Sequence, residues 1–251
     1  MKLLKDESGL SVIVGTLLLI LIVVASASAL ALMASEAQKK EMERRSLRVA
    51  VESENLKILS LALNGSVNWT NMIITVVNLN TEESRIVGLN INGMNAANYT
   101  DGVKVYNFQN QFPVPAARSR QIFLNLSSSF ASPLNISRND PIRVILFTSL
   151  TNNFERVFLP PVPIIKVSVV SEQIGTEFHD VLALDGSDSI DREGTIIRYQ
   201  WQVGNTTLIL GNLSGQKARM NFDLGNTSQF WVNLNVTDSN GISGFARWES
   251  P

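Results

Sequence analysis

The chain has 251 residues, a formal net charge of −1 and 45% hydrophobic residues. Charge so balanced leaves no basic footprint for a nucleic acid. Cysteine is absent and histidine occurs once, as His179, which excludes a disulfide framework, thiol chemistry and a histidine-built zinc site.

The first element is an apolar helix. Leu10 to Ser35 carries no charged residue, and at about 1.5 Å per residue it is roughly 39 Å long. A bilayer core of roughly 30 Å needs about 20 apolar residues, so the run is long enough to span one. Its first half is bulky and branched (Ile13, Val14, Leu17 to Val24). Its second half is small (Ala25, Ser26, Ala27, Ser28, Ala29, Ala31), a composition that lets helix backbones approach closely. Glu36 to Arg45 continues the helix as a polar stalk, with Glu36–Lys40 and Glu41–Arg45 spaced i,i+4, acid first.

Before the run stands Met1-Lys2-Leu3-Leu4-Lys5-Asp6-Glu7-Ser8-Gly9, and Gly9-Leu10-Ser11-Val12-Ile13-Val14-Gly15-Thr16 follows. This arrangement resembles the leader and mature start of archaeal type IV prepilins. Two departures are Val12, where many members have proline, and apolar Val14, where bacterial pilins carry a glutamate. The resemblance implies cleavage between Gly9 and Leu10 by a prepilin peptidase and delivery to a pilus assembly machinery. Lys2 and Lys5 precede the run, whereas Lys39, Lys40, Arg44 and Arg45 follow it. That count alone would leave the C-terminal part cytoplasmic; the resemblance and the glycosylation acceptors below place it outside.

From Leu47 the pattern turns to period two with frequent turns. The expected strands are Leu47–Glu52, Lys57–Leu63, Asn71–Asn78, Ser84–Asn92, Val103–Phe108, Gln121–Leu126, Ile142–Thr148 and Phe154–Leu159. Asn64-Gly65 and Asn92-Gly93 are hairpin signals, and Asn139-Asp140-Pro141 is a turn before a strand. Many short strands predict a β-sandwich. Its Ile73 to Gly93 portion is similar to the globular part of archaeal pilins. Ile73, Thr75 and Val77 alternate, as do Ile86, Gly88 and Asn90, without fixing the register.

Pro160-Pro161-Val162-Pro163 reads as a stiff extended linker. After it, Leu184-Asp185-Gly186-Ser187-Asp188-Ser189 runs through Asp191-Arg192-Glu193-Gly194-Thr195-Ile196 to Tyr199-Gln200-Trp201. This stretch resembles the PKD domain, an immunoglobulin-like β-sandwich of cell-surface proteins. Val232 to Gly241 is similar to that family's last hairpin. Gln202-Val203-Gly204-Asn205 departs from the family's usual turn after the tryptophan. Ile197, Tyr199 and Trp201 are expected on one face of their strand, with Ile196, Arg198 and Gln200 on the other.

Few residues suggest chemistry. Asp185, Asp188 and Asp191, with Glu193, are oxygen ligands of the kind calcium takes, and equally the residues that stabilise turns. His179 beside Asp180 lacks an accompanying nucleophile motif and reads as a solitary surface histidine. No glycine-rich phosphate loop is present. Asn-x-Ser/Thr acceptors begin at Asn64, Asn68, Asn98, Asn135, Asn205, Asn212 and Asn226, and within expected strands at Asn125 and Asn235.

The expected organisation is a long N-terminal hydrophobic α-helix followed by two all-β domains. It divides into a leader at 1–9, a transmembrane or polymerisation helix at 10–46, a pilin-like β-sandwich at 47–159, a linker at 160–163 and a PKD-like domain at 164–251. The expected function is structural: a subunit of an archaeal type IV pilus-like filament, self-associating through its helix and membrane-anchored before assembly. It needs no cofactor, performs no catalysis and takes no nucleic acid partner. One alternative is a membrane-anchored surface binding protein that presents its immunoglobulin-like modules without polymerising. Another is a surface hydrolase with a PKD accessory module.

Overall fold

The computed structural model describes residues 7–64, 69–137, 139–174, 177–221 and 229–250. The chain divides into two compact units, 1–53 and 54–251.

The first unit is one helix, α1, Glu7–Ser53, 47 residues long, about 70 Å at 1.5 Å per residue. It is long and apolar enough to cross a membrane. Its large apolar side chains from Val12 to Met33 are 54–69% exposed. The hydroxyls embedded in the run donate to the helix's own carbonyls: Thr16 to Ile13 at 2.9 Å, Ser26 to Ile22 at 2.7 Å and Ser28 to Val24 at 2.8 Å. These three hydroxyls are thereby satisfied without water. In the stalk, Glu41 and Arg45 pair at 3.0 Å. Leu47–Glu52, expected as a strand, is the last part of this helix. No proline or glycine stops propagation there, each added residue gains a backbone hydrogen bond, and Arg48 reaches Glu52 at 3.8 Å.

The second unit holds two β-sheet-rich regions. The first comprises β1 Leu56–Asn64, β2 Asn71–Asn78, β3 Ser84–Ile91, β4 Met94–Asn95, β5 Tyr99–Thr100, β6 Val105–Tyr106, β7 Phe112–Val114, β8 Ser119–Asn125, β9 Ile142–Thr148 and β10 Asn153–Phe158. One sheet runs β1-β2-β8-β5-β6; the other runs β10-β9-β3-β4, with β7 also on β3. All pairings are antiparallel. Both sheets feed one core, including Leu61, Met72, Ile74, Ile122, Ile86, Leu89, Val144 and Leu146. β2 buries Met72, Ile74 and Val76 rather than Ile73, Thr75 and Val77. Both of its faces are apolar enough that only the position of the opposing sheet selects one.

Turn chemistry follows the sequence where it is described. Asn92 and Gly93 have φ of 48° and 87° and join β3 to β4, the left-handed pair a two-residue hairpin requires. Residues 65–68, after Asn64, lie outside the described residues. Val103–Phe108 shrinks to the two-residue β6. Asn110 Oδ1 accepts from the Asn107 N–H at 2.7 Å and its amide donates to the Val105 carbonyl at 2.7 Å. These side-chain bonds replace a ladder with a turn.

The second region comprises β11 Lys166–Ile174, β12 Glu177–Asp185, β13 Ile196–Gly204, β14 Ile209–Ser214, β15 Lys217–Asn221, β16 Trp231–Asp238 and β17 Ser243–Glu249. Its sheets are β11-β12-β15 and β14-β13-β16-β17. Between them lie Leu182, Leu184, Trp201, Val203, Val232, Leu234 and Val236. Trp201 is 2% exposed, and its indole N–H donates to the Gly215 carbonyl at 2.8 Å. Ile197 does not share the buried face: a register shift between Ile196 and Arg198 leaves it 63% exposed, while Ile196 packs on the core. A bulge of one residue reverses the alternation on one side of it.

The two regions are tightly joined. Val162, in the expected linker, exchanges backbone hydrogen bonds with Ile190 at 2.7 and 3.0 Å. Ile242, from the β16–β17 turn, is fully buried in the core of the first region. Beside it, Gly241 has φ of 79°, and a Cβ there would lie 2.6 Å from the Leu63 carbonyl oxygen. The Leu63 N–H donates to the Asn240 carbonyl at 3.1 Å.

Candidate functional site

The acidic loop carries the residues whose oxygens suit a metal ion. Asp185 ends β12, accepts the Ser187 N–H at 2.9 Å and pairs with Lys217 at 3.0 Å. The hydroxyl and N–H of Ser187, and then Lys217, hold its carboxyl far below the usual carboxylate range. Asp188 pairs with Lys166. Asp191 lies elsewhere: its Oδ1 accepts the Glu193 N–H at 3.0 Å, and its Oδ2 is buried without a hydrogen-bond partner. Among the described residues, no group of three or more acidic or histidine side chains is placed to hold a metal ion. The loop uses its aspartates as turn formers and lysine partners.

The residue that sequence reasoning missed here is Asp238. It is 1% exposed at the end of β16, and its Oδ1 accepts the N–H groups of Asn240 and Ile242, both at 2.8 Å. Burial raises its pKa, opposed by those two N–H groups and reinforced by the charge of Asp191. Asp238 therefore shapes the turn that delivers Ile242 to the other region's core. Nothing in its local sequence distinguishes it from a surface turn aspartate.

His179 and Asp180 are consecutive on β12, so their side chains take opposite faces. Asp180 accepts from the Ser171 hydroxyl at 2.8 Å, and His179 stands opposite Glu172 in the ladder.

The glycosylation acceptors are scattered over the β unit. Asn135 and Asn212 are exposed and Asn98 is half-buried. Asn205 is half-buried, with Oδ1 accepting from the N–H of Thr207 at 2.9 Å, from its hydroxyl at 3.0 Å and from the Leu208 N–H at 2.8 Å. Asn125 ends β8 with an exposed side chain, whereas Asn235 is half-buried within β16. Asn68 and Asn226 lie outside the described residues, as does the side chain of Asn64. Of the leader, residues 1–6 lie outside them too; Gly9 and Leu10 are in α1.

The β14-β13-β16-β17 sheet carries a small concave feature. A cavity of about 150 Å³ is lined by Thr206, Gln229, Phe230, Trp231, Arg247, Glu249 and Ser250. Trp231 lies across Gly204, where a Cβ would come within 2.3 Å of its ring, and donates its indole N–H to the Asn205 carbonyl at 2.9 Å. The Arg247 guanidinium covers the Trp231 ring at 4.8 Å and donates to Glu249 at 2.8 Å. Ligand pockets usually enclose about 300 Å³ or more. This small cavity, with its cation and aromatic already paired, has no reactive constellation.

No protein-family model and no curated protein sequence matches the chain. Among solved structures, the secreted serine protease VesC from Vibrio cholerae is similar at 10% identity and a TM-score of 0.26, over 79% of this chain and 51% of that one. Tp47, the 47-kilodalton lipoprotein of Treponema pallidum, is similar at 11% identity and a TM-score of 0.23, over 78% and 50%. The chain spans about half the length of each, and likenesses of this size do not establish a shared fold.

Proposed function

We propose that this chain is a membrane-anchored surface protein whose business is presentation and contact rather than catalysis. The observation that carries the reading is the apolar half of α1. Side chains from Val12 to Met33 lie more than half exposed along an uncharged run. Apolar surface on that scale is stable only in lipid or against other helices. The β unit then serves as the displayed body, two sheet-rich lobes held as one compact piece. Its C-terminal lobe is read as a PKD-like immunoglobulin fold, supported by the buried Trp201 on β13 and by Gly186 packed against Trp201, Tyr199 and Leu234.

A second reading is a subunit of a type IV pilin-like filament. Gly9-Leu10 at the head of the run supports it, as does a helix of about 70 Å, more than twice a bilayer core. Copies would bundle through α1 after cleavage by a prepilin peptidase. The test is the mature N-terminus of the native protein, read by mass spectrometry, together with electron microscopy of the cell surface. Recovery in the membrane fraction with the leader intact and no filaments supports the anchored protein. A Leu10 start with filaments containing the chain supports the pilin-like subunit. Recovery as a soluble protein with no α1 attached overturns both.

A further inference from the structure

A sheet edge presents unpaired N–H and C=O groups and is a template for another strand unless it is shortened, bent or covered. Among the described residues, most edges of this β unit are protected. β4 and β6 are two residues each. β1 carries a bulge between Ile58 and Ser60, and Arg156 of β10 crosses to it, donating to the carbonyls of Ile58, at 2.9 Å, and Leu59. β14 has a register shift opposite Val203 and Gly204 and lies beside β15, the edge of the other sheet. β17 is met by Asn139, whose side chain bonds the Phe245 backbone in both directions.

β11 is different. It is nine residues long, contains no proline or glycine, and pairs with β12 from Lys166↔Asp185 to Ile174↔Glu177 without a register shift. It is the end strand of the β11-β12-β15 sheet, and among the described residues no strand pairs with its other side. Val169, at its middle, is 41% exposed.

We infer that β11 is an interaction edge for a second copy of this chain, the two strands pairing antiparallel about Val169. The register comes from the charges. Centred on Val169, residue 166 faces residue 172 of the other copy, 167 faces 171 and 168 faces 170. Lys166 then stands directly across from Glu172 of the second copy, and Glu172 across from its Lys166, on one face of the joined sheet. Val169 meets Val169 on the other face. Moving the centre one residue either way pairs 166 with 170 or 174 and leaves both ions without an opposite. The edge is thus self-complementary in the sense a two-fold interface demands, and cross-strand pairs of opposite charge reinforce an antiparallel ladder while like charges oppose it. Asp188 and Arg219, the intrachain partners of Lys166 and Glu172, belong to the same four-charge set and continue it across the join. The inference does not depend on how α1 is used.

The chain has no cysteine, so it can be tested by single substitutions without background. Full-length chain in detergent or in lipid vesicles is oxidised and run on a non-reducing gel. In the inferred register the two Cα atoms at 169 are about 5 Å apart, within disulfide reach. Val169→Cys is expected to form covalent dimer, Ser168→Cys alone to form little, and a mixture of Ser168→Cys with Val170→Cys to cross-link. Adding Lys166→Glu to Val169→Cys sets two acids opposite each other at both ends and is expected to slow cross-linking about tenfold. Adding Glu172→Lys to that variant restores it. If Val169→Cys and the mixture both stay monomeric, or Ser168→Cys dimerises as fast as Val169→Cys, or the double charge exchange fails to rescue, the inference is overturned.

Discussion

Asn139 and Phe245, 106 residues apart, exchange two hydrogen bonds: the Asn139 amide donates to the Phe245 carbonyl at 2.9 Å, and the Phe245 N–H donates to Asn139 Oδ1 at 2.6 Å. One side chain thereby stands in for a strand neighbour on β17 and ties the first lobe to the second. Asn139 also has φ of 77°, a conformation asparagine tolerates better than most residues. Asn139→Gly keeps the backbone and loses the bonds, which should cost about 1–2 kcal/mol in urea denaturation. Asn139→Ala adds backbone strain and should cost about 1 kcal/mol more. Equal losses for the two would show that the φ angle is unimportant.

Ile242 gives the joint its apolar anchor. Truncation to alanine leaves a hole in the other lobe's core, and about 2–4 kcal/mol of stability should be lost. Gly241→Ala acts through geometry instead: its Cβ would lie 2.6 Å from the Leu63 oxygen at φ of 79°. Limited proteolysis should then cut near Pro160–Pro163 faster than in the unaltered chain, because the Pro161 backbone packs against Gly244, at the start of the strand that leaves the same turn. An unchanged cleavage rate would mean that the lobes stay together without this contact.

Asp238 sets one sign of the pH response. Its folded-state pKa is raised by burial and by Asp191. A raised pKa contributes stability that is full below the unfolded value and is lost as pH rises through the folded value. The chain should therefore shed this contribution on the way from acid to neutral pH. Asp238→Asn keeps an oxygen for the Asn240 and Ile242 N–H groups, so it should flatten that part of the curve and leave neutral-pH stability unchanged or higher. A marked loss at neutral pH would show that the charge itself is needed.

Asp101 sets the opposite sign. The N–H groups of Lys104 and Val103, the Tyr106 hydroxyl and Arg120 bring its pKa down to about 2, against burial, with the Lys104 N–H contributing most. A lowered pKa contributes stability that is present above the unfolded value, near 3.8, and is lost as pH falls through about 2. The carboxyl carbon of Asp101 should keep its ionised chemical shift at pH 3 in an NMR titration. Asp101→Asn should destabilise the chain at neutral pH and remove this part of its acid sensitivity.

Much of the architecture was legible because it is local. An uncharged run of helix-compatible residues makes α1, since a helix satisfies its own backbone within the segment. Asn92-Gly93 makes its hairpin because both residues accept positive φ, and β2 and β9 fall on Asn71–Asn78 and Ile142–Thr148 as their alternation indicates. Other features depended on what lies opposite. The buried face of β2 turns on where the second sheet sits. The bulge at Ile197 reverses an alternation that the residues alone do not reveal.

The sequence by itself determined a greasy helix, a β-rich remainder without cysteine, and the absence of any recognisable catalytic pattern, because composition and short-range periodicity act within a few residues. Only the tertiary structure decided that Asp185 and Asp188 go to different lysines, that Ile242 belongs to the core of a lobe far from it in the chain, and that, among the described residues, no strand pairs with the outer side of β11. Those outcomes rest on contacts between residues tens to hundreds of positions apart, and such contacts are fixed by the shared packing of sheets rather than by any one strand's own pattern.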